Sequence, residues 1–191
     1  MQLRNTPESY GWVGIGLHWL VTLTVFSLFG LGLYMVDLSY YDPLYKILPD
    51  WHRSIGLTLL AVVLVRLGWR WWTPAPRPHA GHTALEKRMA ALAHGALYLL
   101  VFCMITTGYL ISTANGQGID VFGLFTISSI TGEVDGMEDW AGLVHYWVAW
   151  SLIGLAALHA LGAIKHHFID RDDTLLRMLR ADSHGVHNRK Q

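Results

Sequence analysis

The stretch from Trp140 to His159 is an apolar run that carries two histidines, His145 and His159. As a helix rising 1.5 Å per residue, the step between them covers roughly 21 Å. At about 100° per residue it leaves the two side chains within roughly 40° of one face. Such a helix is long enough to cross the hydrocarbon of a bilayer and presents an imidazole near each surface, both toward one side. Ionisable groups in a membrane are costly and face a bundle interior or a cavity. A satisfied bundle histidine is the ordinary reading of one such residue. Two in register, facing further histidines at matching depths, point to two metal centres.

Composition agrees with a membrane chain. The sequence is 52% hydrophobic with mean hydropathy +0.32 and nine tryptophans, a pattern suited to interfacial belts. Lys plus Arg and Asp plus Glu balance at 14 each, so charge makes no case for a nucleic-acid partner. The single cysteine, Cys103, excludes an intrachain disulfide, a Cys-based zinc site and covalent CxxCH haem attachment, and reads as packing. No cleavable leader is expected, since the N-terminus lacks a basic region feeding an Ala-x-Ala site.

Four spans are expected: Gly11 to Val36, Trp51 to Trp72, Met89 to Thr113 and Ala141 to Ile164. The fold class is therefore all-α, an integral-membrane four-helix bundle within a single domain over residues 1–180. Pro74, Pro76 and Pro78 make the second connector extended. In the third connector, Val121 to Ile130 is apolar but too short to span, and is expected to lie against the surface. Lys165 to Arg180 reads as a short amphipathic surface helix with Leu175, Leu176 and Leu179 on one side, and 181–191 as a disordered tail. Lys and Arg gather at the N-terminus, the second connector with its flanks, and the C-terminus, which predicts both termini cytoplasmic. The opposite, outer side has only Lys46 and Arg53 as cations and is rich in Asp and Glu.

Depth then pairs the histidines. His18 lies about two turns in from the cytoplasmic end of the first span, level with His159. His52 begins the second span at the outer surface, level with His145. Crossed pairing would ask one metal to bridge most of the bilayer. A structural zinc wants four protein ligands, and each level offers two obvious ones; two axial imidazoles are what a six-coordinate haem takes. Gly14, Gly16, Gly56, Gly142 and Gly162 near these histidines would admit a flat macrocycle, or serve close helix packing. Arg53 outside, and Arg66 or Arg70 inside, are candidate partners for propionates, although snorkelling also explains the inner two. A centre with both axial sites filled favours one-electron transfer, and quinone is the natural membrane-soluble acceptor. His94, at the depth of His18, is a spare ligand, a proton handler or a bundle partner. His166 and His167 end the fourth span, where a quinone pocket or a solvated helix end are both open. His79, His82, His184 and His187 read as surface residues.

These residues carry a family likeness. Leu17-His18-Trp19-Leu20, Trp51-His52-Arg53-Ser54-Ile55-Gly56, Val65-Arg66-Leu67 and Leu158-His159-Ala160 occur in order. The ending His166-His167-Phe168-Ile169-Asp170-Arg171-Asp172-Asp173-Thr174-Leu175-Leu176-Arg177-Met178 completes the set. Over about Thr6 to Arg180 the chain resembles the bacterial cytochrome b561 family of four-helix dihaem membrane cytochromes. The resemblance implies that His18, His52, His145 and His159 are axial ligands of two haem b groups in the bacterial inner membrane. It also implies a superoxide:ubiquinone oxidoreductase, or a relative passing electrons between quinone and a periplasmic partner. Lys46 and Arg53 would then draw superoxide to an otherwise acidic face, a face that also suits a basic protein partner. Two other readings are an electron-relay membrane anchor for a periplasmic redox protein, without a substrate site of its own, and a haem-free ion or proton transporter.

Overall fold

The structure, a computed structural model, describes residues 2–181. The fold is all-α apart from one small hairpin: α1 (Trp12–Met35), α2 (Ile47–Trp72), α3 (Ala84–Thr113), β1 (Ile119–Val121), β2 (Phe125–Ile127) and α4 (Met137–Phe168). The four helices contain 24, 26, 30 and 32 residues, and each is long and apolar enough to cross a membrane. Large apolar side chains such as Leu23, Leu64, Leu99 and Leu158 are more than half exposed, as lipid-facing residues must be.

Three helices start earlier than expected. At α3, Thr83 and Glu86 form a capping box. The Thr83 backbone N–H donates to Glu86 Oε2 at 2.9 Å, and the Glu86 N–H donates to Thr83 Oγ1 at 3.2 Å. The Thr-x-x-Glu pattern was there to be read. At α2, Pro49 sits in the first turn, where a missing N–H costs no helical bond, so the helix runs back to Ile47 and His52 lies inside it. The fourth span extends to both sides, from Met137 to Phe168.

One further expectation is corrected. The stretch Lys165–Arg180 is not one surface helix: α4 continues to Phe168, and among the described residues beyond it only the 3-10 turn Leu176–Met178 is helical. Arg171 adopts φ +56°, which stops helical propagation, and Asp172 Oδ1 accepts the Thr174 N–H at 2.8 Å. The apolar middle of the third connector is an antiparallel hairpin, with Ile119 opposite Ile127 and Val121 opposite Phe125. Its turn uses Phe122 and Gly123 in succession at φ +54° and +72°. The expected tail lies outside the described residues, apart from Ala181.

The chain separates into two compact units. One gathers the described residues up to Val21, Val62–Gly95, and those from Leu155 onward. In it the N-terminal lead is tied down. Asn5 Nδ2 donates to the Thr73 carbonyl at 2.9 Å, the Arg77 N–H donates to Pro7 O at 2.9 Å, and Trp19 Nε1 donates to Met178 O at 2.7 Å. Gly11 is required there, because a Cβ would fall 2.3 Å from the Leu3 carbonyl oxygen. The other unit comprises Thr22–Ala61 and Ala96–Gly154. In it Ser54, buried on α2, donates from Oγ to Asp120 O at 3.3 Å and accepts the Phe122 N–H at 3.2 Å, fixing the hairpin to the helix. Tyr109 on α3 donates to Ser128 O at 2.8 Å and accepts the Ile130 N–H at 2.9 Å.

Candidate cofactor site

Within the second unit, α2 carries His52 and α4 carries His145, and their ring centroids stand 6.3 Å apart with planes inclined at 64°. Both line a cavity of about 760 Å³ whose walls are mostly apolar, with Phe29, Val101, Leu152 and Ile153 among them. Two imidazoles bound to opposite sides of one metal at ~2 Å place their ring centroids roughly 6 Å apart. The observed spacing is compatible with a pair on opposite sides of one ion.

Thr107 suits the tautomer of His145 that carries its proton on Nδ1. Thr107 Oγ1 lies 2.7 Å from Cys103 O and 2.9 Å from His145 Nδ1. A hydroxyl has one proton, and a carbonyl oxygen can only accept. With His145 protonated at Nδ1, Thr107 donates to Cys103 O, with Met104 O also at 3.1 Å, and accepts Nδ1–H. That leaves a free lone pair on His145 Nε2, the nitrogen a metal needs. His52 Nδ1 is buried without a hydrogen-bond partner among the described residues, an orphan that a site awaiting a group would contain. Glycines clear the space: a Cβ at Gly108 would lie 3.3 Å from His145 Cε1, and one at Gly32 would lie 3.5 Å from His52 Cε1. The expected Gly56 and Gly142 also line the cavity and face open space. These residues fit a bis-imidazole haem. Thr107, Gly108 and Gly32 escaped the sequence reading; the one signal was a threonine followed by a glycine in mid-span.

At the rim, Glu133, Asp135 and Glu138 line the same cavity. Lys46, Asp50 and Arg53 line a neighbouring one of about 680 Å³, together with Met35, Val36 and Pro49. Arg53 is paired with Asp50, so part of its charge is already balanced and Lys46 is the less encumbered cation.

The first unit holds a second set. His18 on α1, Arg66 on α2, His94 on α3 and His159 on α4 are close enough to interact electrostatically, and Arg70 reaches His94 in the same way. His94 and His159 meet edge to face at 5.0 Å between centroids. Arg66 Nη2 donates to His18 Nδ1 at 2.9 Å. Arg66 thus lies against an imidazole. This set has one imidazole more than a haem takes, and His18 accepts at Nδ1 where His145 donates. His167 packs on Phe168 at 4.8 Å, with Nδ1 buried and unpartnered among the described residues. Gly16 and Gly162 face open space, while Gly14 packs on Asn5, where a Cβ would lie 3.0 Å from Oδ1.

Four membrane-length helices and a histidine pair lining an apolar cavity are the features of a multi-pass membrane cytochrome. The family pattern described as prokaryotic cytochrome b561 matches residues 9–181, and the chain belongs to that family. It is similar to cytochrome b561 homolog 2 of Escherichia coli strain K12, 44% identical over 183 residues, 96% of this chain and 97% of that one. It is also similar to the probable superoxide oxidase CybB of Yersinia pestis, 28% identical over 173 residues, 90% and 96% of the two chains. Cytochrome b562 of Cereibacter sphaeroides is 32% identical over 129 residues, 68% of this chain and 66% of that one. This chain is therefore a bacterial inner-membrane protein of an electron-transfer family that carries b-type haem.

Proposed function

We propose that this chain carries electrons across the membrane between a periplasmic one-electron donor and ubiquinone, with two haem b groups. His52 and His145 would hold the outer one, and His18 and His159 the inner one, with both termini cytoplasmic. The observation that carries this reading is the His52–His145 pair, 6.3 Å apart across an apolar cavity of about 760 Å³. When bound there, a bis-imidazole haem supplies one-electron redox chemistry and leaves no open position for oxygen. The chain's own residues do the rest. Thr107 fixes the His145 tautomer, Gly32 and Gly108 keep room, and the apolar walls exclude water. Arg66 and Arg70 supply positive charge around His94 and His159, where a propionate or a reduced quinone would be favoured, and His94 and His167 are candidates for handling its protons.

Superoxide is the donor we favour, from the likeness to the probable superoxide oxidase of Yersinia pestis. Two superoxide anions become two molecules of dioxygen, and ubiquinone takes the two electrons with two protons. Lys46 and Arg53 would form the arrival site. A second reading has its own observation: the carboxylates Glu133, Asp135 and Glu138 at the cavity rim favour a basic redox protein as donor. The chain would then be a relay without a small-molecule site.

The test is haem per polypeptide, with oxidised and reduced spectra, on the purified protein and its variants. Two noncovalent b haems are expected. His145→Ala loses the outer haem and keeps the inner, and His159→Ala does the reverse. Unchanged haem in both variants refutes the ligand assignment. Reduction by a superoxide generator, abolished by superoxide dismutase, separates the donor reading from the relay reading.

A further inference from the structure

The first unit contains a second cluster of ligating side chains, none of them a member of the histidine set described above. His79 and His82 flank a turn closed by the His82 N–H donating to His79 O at 3.2 Å, with Gly81 inside it. Their rings lie 5.5 Å apart. Asp172, beyond the end of α4, places Oδ2 2.7 Å from His82 Nε2. One ligating atom each from His79, His82 and Asp172 lies within 4.8 Å of the others. His82 and Asp172 are well covered, with side chains 15% and 5% exposed.

We infer that His79, His82 and Asp172 form a binding site for a divalent transition metal ion, zinc above all, that clips the α2–α3 connector to the segment following α4. Two imidazoles and one carboxylate are donors that zinc accepts, whereas calcium and magnesium ask for oxygens alone. Around a tetrahedral ion with bonds of ~2 Å, ligand atoms stand about 3.3 Å apart, so the side-chain ends close by no more than about 1.5 Å. The carboxylate is already aimed: Asp172 Oδ1 is held by the Thr174 N–H at 2.8 Å, and the Asp172 N–H donates to His166 O at 3.1 Å. The His166 ring lies 4.2 Å from that of His82, and its Nδ1 lies 3.7 Å from Asp172 Oδ2.

A neighbouring cluster shows the contrast. Glu86, His166 and Asp170 also converge, but Lys165 Nζ sits 2.8 Å from Glu86 Oε1 and 2.7 Å from Asp170 Oδ2 and already supplies the cation. The ion-pair partners of Asp172 among the described residues are two imidazoles, His82 and His166, and neither a lysine nor an arginine. That carboxylate is the one left for a metal.

The experiment is zinc titration of the full-length, haem-loaded protein without a polyhistidine tag, after chelator treatment. The readouts are competition with a chromophoric chelator, metal analysis after gel filtration and thermal stability. Binding of a single zinc ion with a rise in melting temperature is expected. His82→Ala and Asp172→Asn should each weaken it by ~100-fold, the upper end of what even outer-sphere ligand changes cost, while haem spectra and elution confirm the fold. Glu86→Gln, and the double variant His184→Ala with His187→Ala, should bind as wild type. No zinc retained by wild type, unchanged affinity in His82→Ala, or loss in the control variants overturns the assignment.

Discussion

Replacing Thr107 by valine keeps the volume of the side chain and removes one acceptor, the Oγ1 that takes His145 Nδ1–H at 2.9 Å. The proton stays on Nδ1, because Nε2 is needed as the ligand, so the imidazole loses a buried partner. A net hydrogen bond of this kind contributes ~1 kcal/mol, about a fivefold change in affinity. Outer-sphere partners of ligating histidines cost roughly 10–100-fold when removed. The Met104 carbonyl also bonds His145 and can take over part of the bond, so the loss falls from the bottom of that range down to the fivefold of a single hydrogen bond: about 5–10-fold weaker retention of the outer haem. The ligand also becomes less basic, which stabilises the oxidised iron less and raises the midpoint potential. The assay is haem transfer to an excess of an apo-haem protein, with a redox titration alongside. Thr107→Ser, which keeps the hydroxyl, should behave as wild type. If Thr107→Val holds its haem as tightly, at the same potential, then the hydroxyl does not set the tautomer and the ligation argument for His145 fails.

Other outcomes follow from the same contacts. Gly108→Val pushes a branched side chain into a position where even a Cβ would sit 3.3 Å from His145 Cε1. Loss of one haem per chain, with the protein still folded, is the expected result, and full occupancy would deny the glycine its role. Arg53→Ala should slow superoxide-driven reduction while leaving dithionite-driven reduction unchanged. Asp50→Asn, which frees Arg53, should speed it, with both effects fading as salt rises; equal rates in all three proteins would remove the arrival site. Acid should loosen the segment after α4. The hydrogen bond from Lys165 holds the Asp170 carboxyl below its ordinary range. Burial raises that of Asp172, but bonds from Thr174 and His82 outweigh it and the net shift is also downward. Carboxyls whose folded pKa is depressed add stability above about pH 4, and that stability is lost as pH falls through the folded values. Melting temperature in detergent should therefore drop below about pH 4, and less so in Asp170→Asn; an identical drop in that variant would argue against the pairing.

Much of this protein was legible in one dimension. Apolar length alone determines four spans, because backbone polar groups in lipid must be satisfied within a helix. A fixed rise and turn per residue then place His145 and His159 on one face of α4. The termini of the helices were harder, since a capping box at Thr83 and a proline tolerated at Pro49 act through a single turn. Tertiary structure alone decided the rest. The partner of His145 Nδ1 is Thr107, 38 positions away, whose hydroxyl also meets Cys103 O. The clearance at Gly32 and Gly108, the seat of Arg66 on His18, and the meeting of His79 and His82 with Asp172, 90 residues beyond His82, are likewise packing outcomes. Periodicity states which face a residue takes. Which partner it meets depends on how helices and connectors fill space together, and that is a property of the whole chain.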